Sequence, residues 1–143
     1  MQNADDGETI AAFDVTPYVS DPDATDTLTF TISPAELPPG LSFDGTQITG
    51  TLTSSASQGG DDPLTNPGRY LIPLTVTDGD GSTFTTTITY DIANINPDAQ
   101  DDALTSGESG ISTGSVFADN GNGIDQDAPP DTDAIVVSQV NGS

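Results

Sequence analysis

Cysteine, histidine, lysine and tryptophan are absent from the 143 residues, and arginine occurs once, at Arg69. Each absence excludes a chemistry. Without Cys or His there are no disulfides, no ordinary zinc site, no thiol nucleophile and no Ser-His-Asp triad. Any catalysis would have to run on carboxylates. One Arg cannot displace the counterions of a phosphate backbone, so nucleic acid is excluded as a partner. An anionic membrane surface would repel the chain for the same reason. No apolar run approaches the roughly 20 residues of a membrane span, so membrane insertion is not expected. The start MQNADDGETI lacks the basic end and apolar stretch of a signal peptide, and its Met reads as a start residue placed on an excised fragment.

What the chain has is acid. Its 23 Asp and Glu set a formal net charge of −22. Leu, Ile, Val and Phe make up 30 of the 143 residues, just above the share of about 20% below which strongly charged chains stay disordered. Uncompensated negative charges repel one another, and a compact state concentrates them. Either a cation is bound or the surroundings are salty; both readings stand on composition alone.

Residues 1 to about 93 read as one all-β domain. Thr is abundant, no segment keeps a 3.6-residue period, and Gly, Pro, Asp and Asn punctuate the chain every 8 to 12 residues. Alternation is clearest at Leu28 to Ile32, at Tyr70, Ile72, Leu74 and Val76, and at Phe84, Thr86, Ile88, Tyr90 and Ile92. A period of two puts these sets on a buried face and the intervening Thr residues in water. Weaker strands fall at Ala11 to Val19, Leu41 to Phe43 and Gln47 to Leu52, with a hairpin turn at Asp44-Gly45 between the last two. Ser54 to Pro67 has no apolar period and reads as a long surface loop, and Pro73 argues for a sheet edge or a bulge. About seven strands in some 90 residues is the expectation for an immunoglobulin-like Greek-key sandwich.

From Asn94 the composition turns to Asp, Asn, Gly and Ser, and an internal comparison relates it to the beginning of the chain. Asp5-Asp6-Gly7-Glu8 is echoed by Asp101-Asp102 and Gly107-Glu108, and Asp21-Pro22-Asp23 by Asp125-Gln126-Asp127. Two units are expected, a sandwich over 1–96 and, over 97–143, a linker with the first half of a second repeat. That half would be poorly ordered alone or would borrow strands from a neighbour.

Acidic residues fall in the turns: Asp5 and Asp6, Asp21, Asp23 and Asp26, Asp61 and Asp62, Asp78 and Asp80, Asp98, Asp101 and Asp102, and Asp125 to Asp133. A hard divalent cation such as Ca²⁺ takes 6 to 8 oxygen ligands, which short D-x-D turns supply. In an up-and-down sandwich the loops at Asp21 to Asp23 and 78–81 share one end, and the segment Asn3 to Asp6 is expected to arrive there too. The plainer reading is that Asp and Gly simply make turns, and that Asp14, Glu36, Asp44 and Asp91 are solvated surface.

FDVTPYVSDPDATDTLTFTISPAELPPGLSFDGTQITGTLT followed by GRYLIPLTVTDGDGSTFTTTITYDI resembles the dystroglycan-type cadherin-like (putative Ig) repeats of very large bacterial surface proteins. The resemblance covers residues 8–96, and the tail from Asp98 resembles the opening of the cadherin-like repeats that accompany RTX-type adhesins. It implies calcium at the junctions between successive repeats. Asp21 and Asp23 match the D-x-D at the top of the domain, and Asp78, with Asp80 beside it, ends the penultimate strand. Glu8 resembles the acidic residue facing the lower junction. Asn94, Asn96 and Asp98 resemble the interdomain linker, and Asp125 and Asp127 the next D-x-D. The loop before Tyr70 lacks the acidic D-x-E triplet of animal cadherins, although Asp61 and Asp62 lie in it.

The resemblance implies a non-enzymatic extender module of a secreted or surface-attached bacterial adhesin, with Ca²⁺ as cofactor and neighbouring repeats as partners. A surface glycan or protein is a further candidate partner. The alternative is a carbohydrate- or peptide-binding module, for which Tyr18 and Tyr70 are the aromatic candidates. A carboxylate-driven enzyme has little support, because its Asp pairs lie in short turns.

Overall fold

Alternation rather than helical period decides the architecture, and the computed structural model describes it for residues 1–22, 27–98, 115, 126–127, 134 and 136. The strands are β1 (Gln2–Asp5), β2 (Phe13–Asp14), β3 (Thr29–Thr31), β4 (Leu41–Phe43), β5 (Gln47–Gly50), β6 (Arg69–Thr77) and β7 (Thr83–Ala93). A short pair follows, β8 (Pro97–Asp98) with β9 (Gln126–Asp127). One sheet has the order β1-β7-β6-β3 and the other β2-β5-β4. The fold is an all-β, Ig-like sandwich, as the spacing of strands and turns predicts. The second unit expected over 97–143 lies almost entirely outside the described residues.

The β6–β7 hairpin forms the longest ladder, running from Arg69↔Asp91 to Thr77↔Thr83. Tyr70, Ile72, Leu74 and Val76 point inward and are buried, and Tyr90 and Ile92 join them from β7. They pack on Val15, Ile32, Leu37, Ile48 and Leu52 in one cluster. Each such side chain contributes roughly 1.5–3 kcal/mol relative to exposure. Burial pushes the Tyr90 phenol up to about 12. Pro73 sits in an interior strand, yet it behaves as an edge residue. The Leu71 N–H donates to the Asp61 carboxylate, so the odd-numbered residues of β6 turn away from β7. On that side β3 reaches only Thr75. The missing N–H of Pro73 therefore falls where no described strand asks for it.

Three local expectations need correction, and one strand goes unread in the sequence. Phe84 keeps the inward phase of its strand but is 65% exposed, because the second sheet, built of strands of two to four residues, stops short of it. Ala11 to Val19 is a strand only at Phe13–Asp14 and then turns into a 3-10 segment at Thr16–Tyr18, held by Asp14 Oδ1, which accepts the Thr16 N–H at 2.9 Å. The stretch Ser54 to Pro67 is not simply a surface loop. Its 3-10 turn Ala56–Gln58 buries Ala56 and Ser57. Asp6 holds that turn from across the chain: 0% exposed, its carboxylate accepts the Ser57 N–H at 2.7 Å and the Ser57 hydroxyl. Finally, β1 is a strand that alternation does not reveal, pairing parallel with Tyr90–Ala93.

The motif PPGLSFDG…ITG has a steric basis. Gly40 and Gly50 have φ of +96° and +140°, and a Cβ on Gly50 would lie 2.3 Å from the Gly40 carbonyl oxygen. Two backbones touch there, so no side chain fits. Gly50→Ala is expected to destabilise the domain by more than about 2 kcal/mol in urea unfolding, and a loss within error would refute the close approach. Asp6→Ala is expected to cost about 3 kcal/mol in the same assay, since it orphans the buried Ser57 N–H.

Candidate functional site

The nine-pair ladder separates two acidic ends. At the upper end the β6–β7 hairpin closes through Asp78, whose Oδ1 accepts the backbone N–H groups of Asp80 at 3.0 Å and Ser82 at 2.8 Å. The Asp78 N–H donates to the Ser82 carbonyl at 3.0 Å. Asp78 thus acts as a turn residue through one carboxylate oxygen. Beside it lie Asp21 and Pro22, and both Asp21 and Asp78 border a groove of about 580 Å³ shared with Tyr18, Leu28, Val76 and Phe84. The expected convergence of these two loops is present. Asp23 lies outside the described residues.

Asn3 to Asp6 does not arrive at this end. Because β1 runs parallel to β7, Asp5 pairs with Ala93, at the opposite end of an 11-residue strand, about 30 Å from the hairpin at the usual strand rise. A hollow of about 320 Å³ there is lined by Asn3, Asp5, Glu8 and Asp91. Glu8 Oε2 accepts the Asp5 N–H at 2.9 Å. Asn94, which donates to the Ile95 carbonyl at 3.1 Å, and Asn96 follow directly from β7. The backbone of Asp98 lies opposite Gln126, and that of Asp127 opposite Pro97. The linker and the second D-x-D thus share a ladder, while Asp125 lies outside the described residues.

The lone guanidinium also works at the lower end. Arg69 donates from Nε to Asp91 Oδ1 at 2.6 Å and from Nη2 to Oδ2 at 2.9 Å, across the first pair of the ladder. This bidentate contact holds the Asp91 carboxyl below the usual carboxylate range and raises the guanidinium further. Asp91 is therefore a structural partner rather than solvated surface, a role invisible without the strand register. Asp62 is likewise lowered, by the Thr65 hydroxyl, and Asp44 by the Thr46 and Gln47 N–H groups of its turn. Of the two aromatic candidates, Tyr70 is buried with its hydroxyl donating to the Ala56 carbonyl at 2.7 Å. Tyr18 is 72% exposed and stacks on Phe13 at 5.4 Å.

All these side-chain donors are hard oxygens, the set a Ca²⁺ ion prefers. Among the described residues, no three acidic side chains gather closely enough to hold a metal by themselves. The fit to calcium is therefore one of donor chemistry and placement at the two ends, and it lacks a preformed cage within the described residues. None of the described helices is long and apolar enough to cross a membrane.

Residues 2–93 match the Putative Ig domain family, and the chain belongs to it. No curated protein matches the chain. The family match spans β1 through β7, which are the two sheets of the sandwich. Ig-like domains are typically non-enzymatic.

The depressed Asp91 fixes the sign of one pH effect. The pair stabilises the fold above the ordinary carboxylate range, and that contribution is lost as pH falls through the lowered value. Arg69→Gln is expected to move the Asp91 carboxyl titration, followed by ¹³C NMR, upward toward the ordinary range. An unmoved midpoint would show that the pair does not persist in solution.

Proposed function

We propose that this Ig-like module is a calcium-binding extender unit of a secreted or surface-attached bacterial adhesin, with Ca²⁺ stiffening its junctions to neighbouring repeats. The observation that carries the reading is the division of acid between the two ends of one rigid ladder. Asp21 and Asp78 border the upper groove with Asp80 in its hairpin, and Glu8, Asn94 and Asn96 lie at the lower end. Asp23 would complete the upper set, and Asp98, Asp125 and Asp127 the lower one. A bound ion supplies a +2 centre against which these carboxylates cease to repel. The chain's own part is to present oxygen donors at both ends and to keep those ends apart. Extracellular calcium modules bind at about 10⁻⁴–10⁻³ M, so an extracellular setting suits the site and the cytosol does not.

A second reading, carbohydrate or peptide binding, is favoured by the exposed Tyr18 and Phe84 on the upper groove.

The calcium reading is tested by melting in EDTA and in millimolar CaCl₂. Ca²⁺ in hundredfold excess over its dissociation constant is expected to stabilise the fold by about 2.7 kcal/mol, several degrees in Tm, and Asp21→Asn with Asp23→Asn is expected to abolish most of that gain. Identical melting curves with and without the ion would refute it.

A further inference from the structure

To a protease that selects Lys or Arg, the 143 residues offer a single bond, Arg69–Tyr70. Such an enzyme needs two things from its substrate. The cationic side chain must enter a specificity pocket, and the backbone around it must be free to lie extended along the enzyme as an added strand. By exposure alone Arg69 qualifies, since its side chain is 47% exposed.

Its backbone does not. Before the bond, the Gly68 N–H donates to the Gly59 carbonyl at 2.8 Å and the Gly68 carbonyl accepts the Ile92 N–H at 2.9 Å. At the bond, the Arg69 N–H donates to the Asn66 carbonyl at 3.3 Å and the Arg69 carbonyl accepts the Asp61 N–H at 2.9 Å. Beyond it, Tyr70 lies opposite Tyr90 in the ladder and the Leu71 N–H donates to the Asp61 carboxylate. The bond is thus gripped from two sides, by β7 and by the segment 59–62. That segment touches it closely: a methyl group on Gly60 would stand 2.4 Å from the Arg69 carbonyl oxygen. Tyr70 is buried with its hydroxyl on the Ala56 carbonyl, and the guanidinium is held by Asp91. Every partner in this lock lies between Ala56 and Ile92.

We propose that Arg69–Tyr70 is a cryptic cleavage site for proteases of basic specificity, closed in the folded domain and opened only when β6 leaves β7. One cut then divides unfolded chains while folded ones stay whole. Freeing the bond breaks the first rungs of the longest ladder, so the opening that exposes it lies close to global unfolding. Once it is bound, water adds across the bond, leaving a carboxylate on Arg69 and an amine on Tyr70. The buried cluster is split, with Val15 and Ile48 on one piece and Ile72 and Leu74 on the other. Exposed loops are the usual places of nicking, but no loop or linker of this chain holds a Lys or a second Arg. The proposal goes beyond the calcium reading and does not depend on it.

The test adds trypsin to the full chain in a buffer in which circular dichroism shows it folded, and then across a urea series through the unfolding transition. Products are weighed by mass spectrometry, and each rate is normalised to that of a short arginine peptide in the same urea. Two products are expected, 1–69 and 70–143. The folded chain should be cut at least about a thousandfold more slowly than the unfolded one, with a rate that rises in parallel with the unfolded fraction. Asp91→Asn, which frees the guanidinium and leaves the backbone bonds in place, is expected to stay uncut where its spectrum is that of the folded chain. Rapid cutting of the folded parent chain would overturn the proposal. So would a rate that stays flat in urea below the transition, which reports local opening of 59–69. Rapid cutting of folded Asp91→Asn would overturn it as well, by assigning the lock to the ion pair instead of the backbone.

Discussion

The nine-pair ladder between β6 and β7 determines where everything else in the domain can lie. Its inward residues supply half of the buried cluster, its lower end carries the Arg69–Asp91 pair, and its upper end is closed by the Asp78 turn. The remaining strands are short and take their positions from it. β1 adds to the last four residues of β7, and β3 to the last three of β6. Because the ladder is continuous, the acidic groups at its two ends cannot approach each other. Neutralisation of the two ends is therefore two separate local problems.

Charge is sorted along the same axis. Between Leu64 and Thr77 the chain carries only Arg69, and between Gly81 and Tyr90 it carries no charge at all. Thr side chains keep the outer face wet instead, as where Thr75 and Thr85 meet across the strands at 3.2 Å. Sheet residues thus avoid like-charge repulsion between cross-strand neighbours, at the cost of crowding carboxylates into turns. Backbone N–H groups absorb some of that charge, at Asp44, Asp78 and Asp6. With one Arg in the chain, most of the rest has no side-chain cation to meet, which is the physical ground for proposing a divalent one.

How much of this was readable without coordinates depended on how many residues shared a signal. β6 and β7 announced themselves because a period of two persists over nine and eleven residues. β1 did not, since Ala4 alone faces the core and its partner is nearly ninety residues away. Its parallel direction, which no local pattern encodes, also put Asn3 to Asp6 at the wrong end. The convergence of Asp21 and Asp78 followed from strand alternation and was legible. Asp5 and Asp6 looked equivalent, yet one is exposed and the other buried against Ser57; only the location of the Ala56–Gln58 turn separates them, and that turn has too few apolar residues to signal burial. Tyr18 and Tyr70 differ for the same reason, one stacked outside on Phe13 and the other sealed under the turn.

The two sheets are unequal in a way that bears on function. β7 runs eleven residues, while the strands facing it have two, four and three. A sandwich with matched sheets would bury Phe84 and leave nothing open between the layers. Here the longer sheet extends past its cover, and Phe84 stands exposed beyond it. An exposed aromatic beside an apolar hollow is a liability for self-association in an ordinary protein. In this one, the carboxylates at the turns set a net charge that opposes the approach of an identical copy. The same charge that burdens the fold thus lets Phe84 stand uncovered.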